Sequence, residues 1–130
     1  MENVLEFIMD QKITYLATIE RDQARVRPMG QFSHINGKLT FCTNNKKDVF
    51  KQMAANPKIE FCMFGAGKTV RLFGTIKPSQ DESVKAEFLK LQPAVAKLYG
   101  GSEDILEIMV FEDAKATVTV KGVKEEVAIY

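Results

Sequence analysis

The chain has 130 residues, 18 basic and 17 acidic, giving a net charge of +1. Its 45% hydrophobic content and nine Phe exclude an intrinsically disordered chain and predict one domain over 1–130 with a proper core. The balanced charge leaves no footprint for duplex nucleic acid or an anionic membrane, and no apolar run approaches the ~20 residues of a membrane span.

Met1, Val4, Leu5 and Ile8 fall at helical spacing and predict a short amphipathic helix over 1–11. The same segment opens Met-Glu-Asn-Val-Leu-Glu, without a basic region or a cleavage site, which reads as a cytoplasmic protein. Residues 13–19, rich in β-branched and aromatic side chains, predict a strand, and a second follows the polar turn 20–23 to run over 24–35. Asn36-Gly37 is a strong type I′ hairpin signal, because both central residues of that turn need positive φ; its partner strand is 38–43. Asn45, with Asp48 three residues on, then predicts the N-cap of a helix whose apolar stripe is Val49, Phe50, Met53 and Ala54 and which Asn56-Pro57 stops. Strands follow over 59–64 and 68–76. Ser79-Gln80-Asp81-Glu82 matches a capping box for a helix carrying Val84, Phe88 and Leu91, with Val95 and Leu98 continuing its seam beyond Pro93. Strands over 105–111 and 116–120, with a short one over 127–130, complete an α+β chain whose hairpins imply an antiparallel sheet and whose strand count favours closure into a small barrel.

Two cysteines, Cys42 and Cys62, have neither the count of a disulfide scaffold nor the pairing of a zinc site, and read as small residues in half-buried strands. Thr43-Asn44-Asn45-Lys46-Lys47 leaves a strand and enters a helix, placing two lysines where the macrodipole is positive and repels them. Cations, free amides and a positive dipole end together suit a phosphate group; solvated lysines on a surface loop are the alternative. On an extended strand Arg25, Arg27 and Met29 share a face, which fits a phosphate carried by a flat ring as well as an edge strand facing water. Thr69, Arg71 and Phe73 share another face, where Arg71 suits a ligand contact or a salt bridge, and Gly74 permits close backbone approach. His34, the lone histidine, reads as a surface residue near a hairpin end, without the company a metal site needs. Gly67-Lys68-Thr69 has the letters of a P-loop ending, but the residues that follow are strand-like.

In this order, Arg27-Pro28-Met29, the Asn36-Gly37 hairpin, the run Leu39-Thr40-Phe41-Cys42-Thr43-Asn44, Lys46-Lys47, Asn56-Pro57-Lys58-Ile59 and Val70-Arg71-Leu72-Phe73-Gly74 resemble the pyridoxamine 5′-phosphate oxidase-like, FMN-binding split-barrel family. The resemblance spans about 13–76, roughly half the chain. It implies an antiparallel split β-barrel with short flanking helices, working as a homodimer with FMN at the subunit interface. Arg27 and Lys47, helped by Lys46, would hold the FMN phosphate. Pro28 and Met29 would run under the ribityl chain and ring, Cys42 and Thr43 would contact the flavin, and Thr69 would stand where the oxidase has a glutamine. The implied activity is that of an FMN-dependent oxidoreductase on a small-molecule substrate. The same fold also suits a non-enzymatic flavin- or haem-binding sensor or carrier, a deazaflavin-dependent enzyme, or a nitroimidazole-reductase-like enzyme with His34 beside its active site. Where the oxidase grips its substrate's phosphate with lysine, tyrosine, arginine and serine, this chain has Phe32, Phe88, Gln92 and Ala96. Pyridoxamine phosphate oxidation itself is therefore not expected.

Overall fold

A computed structural model describes residues 4–130 as nine strands and four helices. Helix α1 (Val4–Asp10) buries Phe7 and Ile8; Met1, the first residue of its predicted stripe, lies outside the described residues. Strands β1 (Thr14–Glu20) and β2 (Gln23–Met29) form the first hairpin. In the second, β3 (Ser33–Ile35) and β4 (Lys38–Asn44) meet through Asn36 and Gly37, whose φ values of 53° and 78° are those a type I′ turn demands. After α2 (Asp48–Ala55) comes a third hairpin, β5 (Lys58–Gly65) and β6 (Lys68–Pro78). Helices α3 (Glu82–Leu91) and α4 (Pro93–Leu98) lead into β7 (Leu106–Phe111), and β8 (Lys115–Val120) and β9 (Val123–Ala128) form the last hairpin.

Three boundaries differ from the sequence reading for physical reasons. The predicted strand 24–35 is two strands, because β2 pairs with β1 whereas β3 pairs with β4, and the chain changes partner over Gly30–Phe32. Helix α2 starts at Asp48, with Lys47 and not Asn45 in the cap position; Asn45 is tied back toward β7, its backbone N–H donating to the Ile105 carbonyl (2.9 Å) and its Nδ2 to Glu107 Oε2 (3.0 Å). The last strand runs over Val123–Ala128, because Lys121 and Gly122, both at positive φ, turn the chain earlier than 127. The capping signal at 79–82 resolves onto Asp81, whose carboxylate accepts from the Ser83 amide at 2.9 Å.

Every strand pairing is antiparallel, in the order β2-β1-β5-β6-β7-β4-β3, with β8 against β6 and β9 outside β8. The eleven-residue β6 belongs to two half-sheets: 68–75 pair with β5, 68–73 also with β8, and 76–78 with β7. Gly74 lies at this changeover because a Cβ there would collide with the Asp113 carbonyl oxygen. The adjacent Thr75 donates to Asp113 Oδ1 from its amide (2.8 Å) and its hydroxyl (2.6 Å). No pairing joins β2 to β3, so the sheet is a split barrel and not the closed ring that the strand count favours.

The halves meet at four buried rings, Phe32, Phe41, Phe61 and Phe111, whose centroids are 4.7–6.4 Å apart. A smaller cluster of Ile35, Val84, Phe88, Leu106 and Ile108 forms where α3 covers β3 and β7. Tyr130 ties β4 to β7: its hydroxyl accepts from the Leu39 amide (3.0 Å) and donates to the Phe111 carbonyl (2.8 Å).

Candidate functional site

The register Thr14↔Met29, Leu16↔Arg27, Thr18↔Arg25 puts Arg25, Arg27 and Met29 on one face, as the period of a strand requires. That face is the one Leu16 turns toward the core, and Arg27 is held against it. Its Nη1 donates to the Leu16 carbonyl (3.1 Å) and Thr18 Oγ1 (2.8 Å), and its Nη2 to Gln52 Oε1 (2.7 Å). All these acceptors are neutral. Arg25 takes the ordinary anionic partner, Glu20 at 3.0 Å, while Arg27 has no carboxylate within reach among the described residues. Burial, then repulsion from Arg25, lowers the Arg27 pKa, although an arginine remains charged across the working pH range. Its Nε–H and the second hydrogen of Nη2 have no partner among the described residues, and together they form the side edge of the guanidinium fork.

Lys46 and Lys47 stand just before the first turn of α2. The Lys46 amide donates to Asn44 Oδ1 at 3.0 Å, a local turn that sets the approach to the helix. No side chain caps α2, and both lysines are exposed, without a carboxylate partner among the described residues. Gln52 lies five residues beyond Lys47, about 7–8 Å along the axis at ~1.5 Å per residue. One short helix therefore connects Arg27, held at Gln52, with the lysines at its start. These three cations are the part of the predicted site that the structure brings near one element.

The other predicted residues lie elsewhere. Cys42 and Thr43 point to opposite faces of β4. Cys42 packs on the cluster under α3, where burial pushes its thiol up to about 11 against the opposing effect of Lys47. Thr43 is buried, and its hydroxyl has no hydrogen-bond partner among the described residues. Met29 is half-buried against the main core, and Pro28 is exposed on the far face of β2. Thr69 is on that far face too, opposite Phe64, with Arg71 reaching Glu60 at 3.9 Å. Within one chain, then, Pro28 and Thr69 are separated from Arg27 by the thickness of the sheet.

Two participants escape sequence reasoning, Thr18 and Gln52, joined by a 2.6 Å hydrogen bond. A signal for Gln52 exists: it is a polar residue between Val49 and Met53 on the buried stripe of α2. The far face of the first half-sheet exposes a group of apolar side chains, Ile13, Tyr15, Val26 (70%) and Phe64 (73%). At the positions aligned with the oxidase's substrate phosphate, Phe32 and Phe88 are buried, and Gln92 Nε2 is bound to Ser33 Oγ (2.9 Å) and the Phe32 carbonyl (3.3 Å). His34 is exposed beside them, at a shallow pocket of about 250 Å³ shared with Met9, Gln31 and Leu91.

Residues 1–122 match the family described as pyridoxamine 5′-phosphate oxidase. No curated protein matches the chain. Among solved structures, a NimC/NimA family protein from Clostridium acetobutylicum is 34% identical, covers 95% of this chain and 90% of its own, and superposes with a TM-score of 0.85. Another protein of that organism, related to general stress protein 26 and of the pyridoxinephosphate oxidase family, has 16% identity, 97% and 94% coverage and a TM-score of 0.76. A haem storage protein from Vibrio cholerae has 11% identity, 83% and 85% coverage and a TM-score of 0.66. The last two likenesses concern the fold alone.

Proposed function

This chain belongs to the pyridoxamine 5′-phosphate oxidase family, and from that premise we propose that it is a cytoplasmic FMN-binding flavoprotein, an oxidoreductase acting on a small molecule other than pyridoxamine phosphate. The observation that carries the reading is Arg27: a part-buried guanidinium on neutral acceptors, two of its donors without a partner among the described residues, next to a helix preceded by two lysines that have no carboxylate partner among those residues. A desolvated cation without a counter-ion is costly, and a phosphate group supplies the missing charge. Arg27, Lys46 and Lys47 would hold that phosphate, and Met29 would lie next to it on the arginine face. Bound flavin supplies the electron-transfer chemistry, while the protein binds and orients it. Because Pro28 and Thr69 are on the other face, their contacts fit a flavin held by a second copy across the exposed apolar patch, which makes the unit a homodimer. Backbone groups of Cys42 and Thr43, and not their side chains, would be the contacts on β4.

The test is the visible absorption spectrum of the purified protein, with and without added FMN. A flavin spectrum, or quenching of FMN fluorescence on titration, is expected. A colourless protein that ignores FMN would refute the reading, and a Soret band after adding haem would redirect it to haem. Replacing Lys47 and Arg27 together by Ala is expected to weaken FMN binding about 100-fold, each charge-assisted contact contributing ~1.5–3 kcal/mol. Unchanged affinity by calorimetry would remove the phosphate from this site.

A further inference from the structure

We infer that Gln52 is a positioning residue that fixes Arg27 without neutralising it, and that it thereby sets the preference for a phosphorylated over an unphosphorylated flavin. The inference rests on the FMN reading above. Gln52 is the fifth residue of α2 and only 7% exposed, at a stripe position where Val49 and Met53 would be matched by another apolar side chain. Its Oε1 accepts from Thr18 Oγ1 (2.6 Å) and Arg27 Nη2 (2.7 Å), and Thr18 Oγ1 accepts from Arg27 Nη1 (2.8 Å). The three groups close a ring of hydrogen bonds that occupies the end of the guanidinium fork and leaves its side edge, Nε–H with Nη2–H, for a pair of oxygens.

A carboxylate would hold the same fork more strongly, as Glu20 holds Arg25. It would also cancel the charge that draws the ligand, since an ion pair already made inside the protein competes with any incoming anion. A neutral amide gives the geometry alone. Support of this kind decides whether a binding group is held closely enough to be selective. The side chains of Lys46 and Lys47 are exposed, with no hydrogen bond or ion pair among the described residues, so among the three cations only Arg27 is oriented before ligand arrives.

The inference is tested on the full chain with Gln52→Glu and Gln52→Met, by titrating each protein with FMN and with riboflavin, which lacks the phosphate. The wild type is expected to prefer FMN. Gln52→Glu should lose at least tenfold in FMN affinity with riboflavin affinity unchanged, and with a Tm no lower than that of the wild type. Gln52→Met, which frees the fork but keeps the stripe apolar, should also lose FMN preference. Should Gln52→Glu fold and keep the wild-type FMN-to-riboflavin ratio, Gln52 has no such role, while the FMN reading stands. Equal loss of both ligands would make Gln52 merely structural. A wild type that binds neither flavin overturns the reading and this inference together.

Discussion

Gly74 and Asp113 show how a single contact fixes a fold. Close approach of the Asp113 carbonyl leaves no room for a Cβ, so Gly74→Ala is expected to cost about 2–3 kcal/mol, as overpacked sites do, read from denaturant unfolding. A change below 0.5 kcal/mol would mean that the β6 changeover yields easily. The Asp113 carboxylate accepts both Thr75 donors, first the hydroxyl and then the amide, and its pKa is held below the ordinary 3.8. Its contribution is thus complete above the ordinary Asp range and lost as pH falls through the depressed value. Thr75→Val raises that pKa toward 3.8, so acid unfolding should begin at a higher pH in a circular-dichroism titration; coincident curves would exclude Asp113 as a source of acid stability. At this scale the sequence spoke unevenly. Strand alternation placed Arg27 with Arg25 and Met29, but it also put Cys42 and Thr43 on opposite faces, so adjacent residues could not both turn their side chains to one ligand. Gln52 was hidden because a buried glutamine is recognised by its partner across space.

Turn chemistry made the hairpins legible: Asn36-Gly37 is the plainest case, since few other pairs adopt its left-handed φ values without strain. Caps were harder to place. Asn45 has the right chemistry for α2, yet it is anchored toward β7 through its backbone N–H to Ile105 and its Nδ2 to Glu107, 62 residues away in sequence, and stands short of the helix start. The same long reach explains the end of the chain, where Tyr130 bridges β4 and β7. Tyr130→Phe leaves the Leu39 amide without that acceptor and should cost ~1–2 kcal/mol in urea unfolding. A null effect would show that water takes over the bridge.

For the whole molecule, strand count and hairpins gave the antiparallel α+β class, and the resemblance gave the split. Closure was overestimated because local pattern cannot say that β6 serves two half-sheets or that β2 and β3 stay apart. The exposed group around Val26 and Phe64 belongs to this scale, as a homodimer would cover it. Val26→Asp is expected to shift the protein toward monomer in sedimentation velocity and to release FMN on dilution more readily than wild type, because a shared site is coupled to association. Flavin retained by a demonstrated monomer would place the whole site in one chain. The four-phenylalanine joint has an optical consequence. The chain contains no tryptophan and three tyrosines, so the phenylalanine fine structure of its near-ultraviolet circular dichroism would report on the contact between the half-sheets. Loss of that signature with the far-ultraviolet spectrum intact would mark the moment when the halves loosen while each sheet survives.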